Sequence, residues 1–240
     1  MWYKDWFNSD YYHILYRHRD EKEAESFMIR LAGQIGLRPD MRVLDLPCGR
    51  GRHSVFLSKM GLNVTGADLS VNSIEFAKQF EDEKLHFLVH DMLQPFPEKN
   101  FDAVLNLFTS LGYFDDPADD YRCIRNMADA LKENGHLVID FLNPTQVRRH
   151  MQETQDYEIE GISFVVNKKI ENGFVVKNVR FLHDDEQHCY TEKVRLFELN
   201  ELSDMVNATG LQIIGTFGDY SFGPYNKDRS DRIILIARKY

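Results

Sequence analysis

The sequence has little of what several large protein classes require. No apolar run approaches the roughly 20 residues of a membrane-spanning helix, and the start MWYKD does not resemble a secretory signal peptide. The three cysteines have no metal-binding spacing, which favours reduced thiols in a cytoplasmic protein. A net charge of −9 argues against a nucleic-acid surface, because phosphate contacts need a basic patch. We therefore expect a cytoplasmic protein that binds neither nucleic acid nor a membrane.

The chain has enough apolar residues for one substantial domain. It is 240 residues long and 43% hydrophobic, which can bury a full core with a smaller embellishment. The stretch that organises it is residues 41–54, MRVLDLPCGRGRHS, which predicts a short buried strand, a glycine turn and a helix start. This order is typical of a nucleotide-binding unit.

Two details of this turn argue against a dinucleotide ligand. Gly49 and Gly51 let the backbone bend sharply and approach a ligand, but Ser54 replaces the third glycine of the dinucleotide pattern. Asp45 ends the strand, where its carboxylate would repel a pyrophosphate and suit a positively charged ligand.

Acidic residues close three successive predicted strands. Asp45 is followed by Asp68, at the end of a strand over residues 62–67, and by Asp91, just after a strand over residues 85–89. In a parallel sheet these ends share the carboxyl edge, where ligands bind. Asp68 could instead cap the next helix, although Ser70 is better placed for that role.

The pattern Asp-x-x-x-Gly-x-Gly from Asp45 to Gly51 resembles motif I of the class I S-adenosylmethionine (AdoMet) methyltransferases. The run FTSLGYF at 108–114 resembles small-molecule N-methyltransferases, including those that act on amino sugars. The likeness covers roughly residues 21–143 and 200–240. It implies an α/β fold: a doubly wound, Rossmann-like, seven-stranded sheet whose last strand is antiparallel, with a small antiparallel β insert.

The resemblance also implies roles for particular residues. Gly49 and Gly51 would shape the AdoMet turn, with Asp45 near the methionine end, Asp68 on the ribose and Asp91 on the adenine. Further cofactor contacts would come from Tyr12, Pro47, Arg52, Leu69, Met92, Asn106 and Phe108. Arg50 is an alternative to Arg52 as the partner of the methionine carboxylate.

A general base is needed only if the acceptor arrives protonated. His53, His90 and Tyr113 are candidates, with His18 a fourth, but a lone histidine is more often structural. No Asn/Asp-Pro-Pro-Tyr/Phe motif follows the fourth strand, which argues against an adenine or glutamine amide substrate.

The composition divides the chain into three parts. Residues 1–20 contain seven aromatic side chains and are interpreted as a lid over the site or as packing against the core. Residues 21–150 and 200–240 form the methyltransferase domain. Residues 151–199 are predicted as a three-stranded antiparallel insert, which covers the substrate or forms a homodimer.

We therefore predict a methyltransferase that uses AdoMet to methylate a nitrogen or oxygen of a small molecule. Three alternatives stay open at this stage. The chain could use AdoMet for another reaction, act as an NAD-type oxidoreductase, or bind AdoMet without catalysis and regulate a partner.

Overall fold

The structure, a computed structural model, describes residues 1–16 and 21–240. The candidate base His18 and the helix cap predicted at Asp20 lie outside these residues. Within them, no helix is both long enough and apolar enough to cross a membrane.

The chain alternates helices and strands up to residue 150 and then builds a β-rich region. The first part comprises α1 (Trp2–Phe7), α2 (Asp10–Leu15), α3 (Glu21–Ile35), β1 (Arg42–Asp45), α4 (Arg52–Lys59), β2 (Asn63–Asp68), α5 (Val71–Ala77), β3 (Leu85–Val89), β4 (Phe101–Asn106), α6 (Pro117–Ala130), β5 (Leu131–Leu142) and α7 (Pro144–His150). The second part comprises β6 (Thr154–Ile159), β7 (Ile162–Glu171), β8 (Phe174–His183), β9 (Glu186–Arg195), α8 (Leu199–Asn207), β10 (Gln212–Phe217) and β11 (Arg232–Arg238).

Seven strands form the main sheet in the order β10-β11-β5-β4-β1-β2-β3. Strand β11 runs antiparallel to both neighbours, and the other neighbouring pairs are parallel. This confirms the predicted fold class. The strand order reverses between β1 and β4, and at such a switch point the carboxyl ends of the strands leave a crevice for a ligand.

Helices cover both faces of the main sheet. Helices α3, α4 and α5 pack their apolar residues on one face, and α6 and α8 pack theirs on the other. Sequence signals fix the ends of α6: Asp116 accepts a hydrogen bond from the Ala118 backbone, and Pro117 occupies the first turn. The carboxyl edge of the sheet is thereby held between two packed layers.

The second sheet is antiparallel in the order β6-β7-β8-β9 and lies under the N-terminal helices. Trp6 and Leu15 are buried against Phe164, Val166 and other apolar residues of this sheet. A sheet of four strands needs such a cover, because one apolar face must be removed from water.

The structure contains four elements that the sequence analysis did not predict. These are helices α1, α2 and α7 and strand β6. Strand β6 is largely exposed, so it lacks the alternation that reveals a half-buried strand. The Asn143-Pro144 pair starts α7, because the Asn143 side chain accepts a hydrogen bond from the Thr145 backbone.

Strand β5 has an irregular start. It begins at Leu131, and its pairing with β4 jumps from Leu131 to His136. A turn at Asn134-Gly135 lies inside this jump, and Asn134 has a positive φ of 64°.

Candidate functional site

A cavity of about 1000 Å³ opens at the carboxyl edge of the main sheet. Its floor is the turn after β1 and the ends of β2, β3 and β4. Helices α1 and α2 roof it, and strands β7, β8 and β9 form the far wall. The lining residues include Tyr12, Pro47, Gly49, Arg52, His53, Asp68, Leu69, His90, Asp91, Met92, Phe108 and Tyr113.

The two glycines of the turn serve different needs. Both have positive φ, 56° at Gly49 and 82° at Gly51, which disfavours residues with a side chain. A Cβ at Gly51 would lie 2.6 Å from the Phe87 ring, so this position must also stay small for packing. At Gly49 the Cβ position is open, and its backbone N–H points to Asp68.

Asp68 connects the turn to the end of β2. Its Oδ2 accepts a hydrogen bond from the Gly49 backbone at 2.8 Å, and its Oδ1 accepts one from the Ser70 backbone at 2.8 Å. Burial raises the pKa of Asp68, and these backbone donors oppose that rise. A carboxylate accepts about four hydrogen bonds, so acceptor capacity remains for a ligand. Ser70 caps α5, as the sequence predicted.

Asp91 lines the cavity one strand further along. Its Oδ1 accepts a hydrogen bond from the Leu93 backbone at 3.0 Å, and its Oδ2 accepts none from the described residues. Its neighbour His90 donates through Nε2 to the Gln94 carbonyl at 3.2 Å. Burial lowers the pKa of His90, which favours the neutral imidazole.

These acceptors fit AdoMet. The ribose has two hydroxyl donors and the adenine an amino donor, and both Asp68 and Asp91 have acceptor capacity on the cavity wall. Asp68 would hold the ribose and Asp91, beside Met92, the adenine. The acidic character of this wall also suits a cofactor with positive charges better than it suits a pyrophosphate.

Three predicted cofactor residues lie behind the wall instead of on it. Asp45, Gly51 and Asn106 are not among the residues that line the cavity. Asp45 accepts the Ser54 hydroxyl at 2.6 Å, and burial raises its pKa to about 7. The Asn106 Nδ2 donates to the Leu46 carbonyl at 2.8 Å. Their observed contacts support the turn.

The loop after β4 is held in an unusual conformation. Phe108 and Thr109 both have positive φ, 58° and 63°. Buried Asp140 accepts the Phe108 backbone N–H at 2.9 Å and the Arg232 Nε at 2.7 Å. Arg232 also donates to the Thr109 hydroxyl at 3.0 Å. Neither Asp140 nor Arg232 was among the predicted site residues; the available signal was an acidic residue within the apolar run HLVIDFL.

The other candidate catalytic side chains lie against this loop. The His53 ring stacks on Phe108 with centroids 4.9 Å apart, and the Arg52 guanidinium lies 5.4 Å from the same ring. The Tyr113 hydroxyl donates to the Thr109 carbonyl at 2.6 Å, which commits its proton to the backbone. The Arg52 guanidinium donates to the His53 Nε2 at 3.2 Å, so the lone pair of this ring nitrogen is engaged beside a positive charge. The role of these side chains as a base stays a prediction.

The roof over the cavity is bonded to both sheets. The Trp6 Nε1 and the Tyr16 hydroxyl donate to the Glu192 carboxylate of β9 at 2.6 and 2.7 Å. At the other side, the Asn8 side chain accepts the Ser70 hydroxyl at 3.0 Å. Tyr12 lies between these anchors and lines the cavity.

Comparison with known proteins gives a consistent result. A model of the methyltransferase domain family matches residues 43–135. A glycine/sarcosine N-methyltransferase of Aphanothece halophytica is 27% identical over 231 residues, which cover 92% of this chain and 83% of that protein.

Two solved structures share the fold over nearly their full length. An S-adenosylmethionine-dependent methyltransferase of Clostridium acetobutylicum has a TM-score of 0.81 at 19% identity, with 96% of each chain covered. A sugar N-methyltransferase of Streptoalloteichus has a TM-score of 0.75 at 22% identity, covering 95% of this chain and 92% of that one.

The sheet order, the glycine turn and the acidic strand ends together define the fold of a class I methyltransferase. The chain contains a methyltransferase domain over residues 43–135 and has the fold of the class I AdoMet-dependent methyltransferases. It is an AdoMet-dependent methyltransferase, with AdoMet as its cofactor.

Proposed function

We propose that the protein transfers the methyl group of AdoMet to a nitrogen or oxygen atom of a small molecule. The observation that carries this proposal is the roofed cavity. Its volume of about 1000 Å³ is at the upper end for ligand sites, which leaves space beside a cofactor. Helices α1 and α2 and the β7–β9 wall cover that space, which suits a small acceptor better than a polymer.

Nitrogen is the preferred acceptor atom within this proposal. The Aphanothece relative and the Streptoalloteichus structure are both named as N-methyltransferases, one for glycine and sarcosine and one for a sugar. The run FTSLGYF that borders the cavity supports the same assignment.

AdoMet supplies a methyl group on a positively charged sulfur that leaves as a neutral thioether. The protein therefore mainly positions the acceptor and excludes water. The Asp140–Arg232 pair fixes the loop that carries Phe108. The aromatic side chains of helices α1 and α2 cover the site. An amine acceptor that arrives unprotonated needs no general base.

The test is a screen for methyl transfer with identification of the product. The protein is incubated with AdoMet and a panel of small amines, amino acids, amino sugars and phenols. S-adenosylhomocysteine release is measured, and mass spectrometry detects the added methyl group. We expect turnover of at least one small amine or hydroxyl compound, with far less by an Asp68→Ala variant. Methylation of added protein or nucleic acid alone, or no turnover of any small acceptor, would contradict the proposal.

A further inference from the structure

Three charged side chains form a row across the cavity-facing side of the second sheet. Lys168 of β7 is in register with Lys177 of β8, and Lys177 is in register with Glu192 of β9. We call these three residues the charged row; all of them line the cavity. Val166 lies two residues from Lys168 on β7, and Val179 lies two residues from Lys177 on β8. Both valines are fully buried. The row thus lies at the boundary between an apolar core and the cavity, where a charge is costly unless it has a partner.

Two members of the charged row compensate each other. The Glu192 carboxylate lies 3.5 Å from the Lys177 Nζ, and both side chains are only 14% exposed. Glu192 also accepts hydrogen bonds from Trp6 and Tyr16, and Lys177 donates to the Tyr16 hydroxyl. This pair is therefore neutral as a unit and is used to anchor the roof.

Lys168 is left with a net positive charge. Its Nζ donates to the Gln155 side chain, and no carboxylate of the described residues lies within ion-pair distance of it. An ammonium has three donors, so this neutral contact leaves two for another acceptor. Burial lowers the pKa of Lys168, opposed by the field of Glu192. A bound anion would offset the free-energy cost of keeping this ammonium charged in a half-buried position.

The neighbouring cations do not share this situation. Arg232, also on the cavity wall, is paired with Asp140 at 2.7 Å. Lys169, next to Lys168 but on the outer face, is exposed and pairs with Glu171 at 2.6 Å. Lys168 therefore differs from both in combining a position on the cavity wall with the lack of a carboxylate partner among the described residues.

We propose that Lys168 binds an anionic group, a carboxylate or a phosphate, of the methyl acceptor. This rests on the proposed function, because the acceptor is taken to occupy the part of the cavity between the charged row and Phe108. The acceptor is then a small amine or alcohol with an anionic group at the end opposite the methylated atom.

The test is calorimetric binding to protein saturated with S-adenosylhomocysteine, using matched probes. One pair compares an amino acid with its amide, glycine with glycinamide, and the other compares glucosamine 6-phosphate with glucosamine. We expect at least one anionic probe to bind about tenfold or more tightly than its neutral partner. The pair that shows the preference distinguishes a carboxylate from a phosphate.

Two variants assign that preference to one side chain. Lys168→Met should abolish it and leave S-adenosylhomocysteine affinity unchanged, and Lys169→Met, the matched control, should keep it. If Lys168→Met unfolds, Lys168→Gln replaces it, and cofactor affinity serves as the check of folding.

The proposal is wrong if neither pair shows an anion preference, or if Lys168→Met retains it. Because these experiments measure binding, their failure leaves the proposed methyl transfer standing. A failed acceptor screen combined with a positive anion preference would reject the proposed function and keep an anion site at Lys168.

Discussion

At the scale of single residues, Asp68 makes the most consequential contacts of the site. It receives the backbone N–H groups of Gly49 and Ser70 and still faces the cavity. Asp68→Ala removes the expected acceptor of the ribose hydroxyls, and hydrogen bonds to charged groups contribute about 1.5–3 kcal/mol. We therefore expect AdoMet to bind at least about tenfold more weakly, as measured by titration calorimetry.

The control for this variant is Asp116→Ala. It removes the cap of α6, worth about 1 kcal/mol of stability, and leaves Asp68 and its partners unchanged. Its melting temperature should fall while its affinity for AdoMet stays near that of the wild type. Equal AdoMet affinity in Asp68→Ala and wild type would show that Asp68 serves only the local backbone.

Asp45 gives the unliganded protein a predictable dependence on pH. Burial raises its pKa to about 7 in the folded state, against about 4 in the unfolded chain. Between these values the folded state binds the extra proton, so stability falls as pH rises through this window. The Asp45→Asn variant lacks this titrating proton, so its loss of unfolding free energy between pH 5 and pH 8 should be about 3 kcal/mol smaller than that of the wild type.

Urea unfolding at the two pH values measures this difference. Asp120, whose pKa burial also raises to about 7, remains in both proteins and should leave a residual slope. If both proteins lose the same stability between pH 5 and pH 8, Asp45 does not carry the proton assigned to it.

At the scale of elements, helices α1 and α2 cover the cavity and also pack into the apolar core above the second sheet. Trp6 and Tyr16 converge on Glu192, and Trp6 is fully buried. Glu192→Gln replaces one acceptor oxygen with an amino group that faces these donors, so the docking of residues 1–16 should weaken. We expect about tenfold faster amide hydrogen exchange in α1 and α2, with unchanged exchange in β1 and β4.

The matched control is Glu186→Gln, an exposed position on the same strand. It should leave exchange in α1 and α2 unaltered. Unchanged exchange in Glu192→Gln would mean that apolar packing alone holds the helices in place. Uniformly faster exchange throughout the protein would instead assign the segment to the core, against the lid interpretation.

The sequence predicted elements well where a local signal exists. The glycine turn and the strands β2 and β3 lie where the residues indicated. The sequence did not predict features that depend on contacts between distant parts of the chain. The Asp140–Arg232 pair joins residues 92 positions apart, and α1 and α2 are short helices stabilised by contact with the second sheet. The role proposed for Lys168 could not be predicted from the sequence either, because it depends on which charged side chains pair in the folded protein.

At the scale of the whole molecule, the cavity belongs to no single part of the chain. The main sheet supplies Asp68 and Asp91, the N-terminal helices supply the aromatic roof, and the second sheet supplies the charged row. Coupling of these parts would let cofactor binding and closure assist each other. The homodimer expected through the second sheet stays a prediction; its outer face carries Val165 and Leu182 exposed to solvent.

The most direct test of a single cavity that holds both cofactor and acceptor is a crystal structure of the protein with S-adenosylhomocysteine. We predict density in the cavity with the ribose at Asp68, the adenine at Asp91 and Met92, and the thioether directed toward Phe108. Space for an acceptor should then remain between the thioether and the charged row. A nucleoside bound against Lys168 and Glu192, or outside the roofed cavity, would contradict the shared site that the account describes.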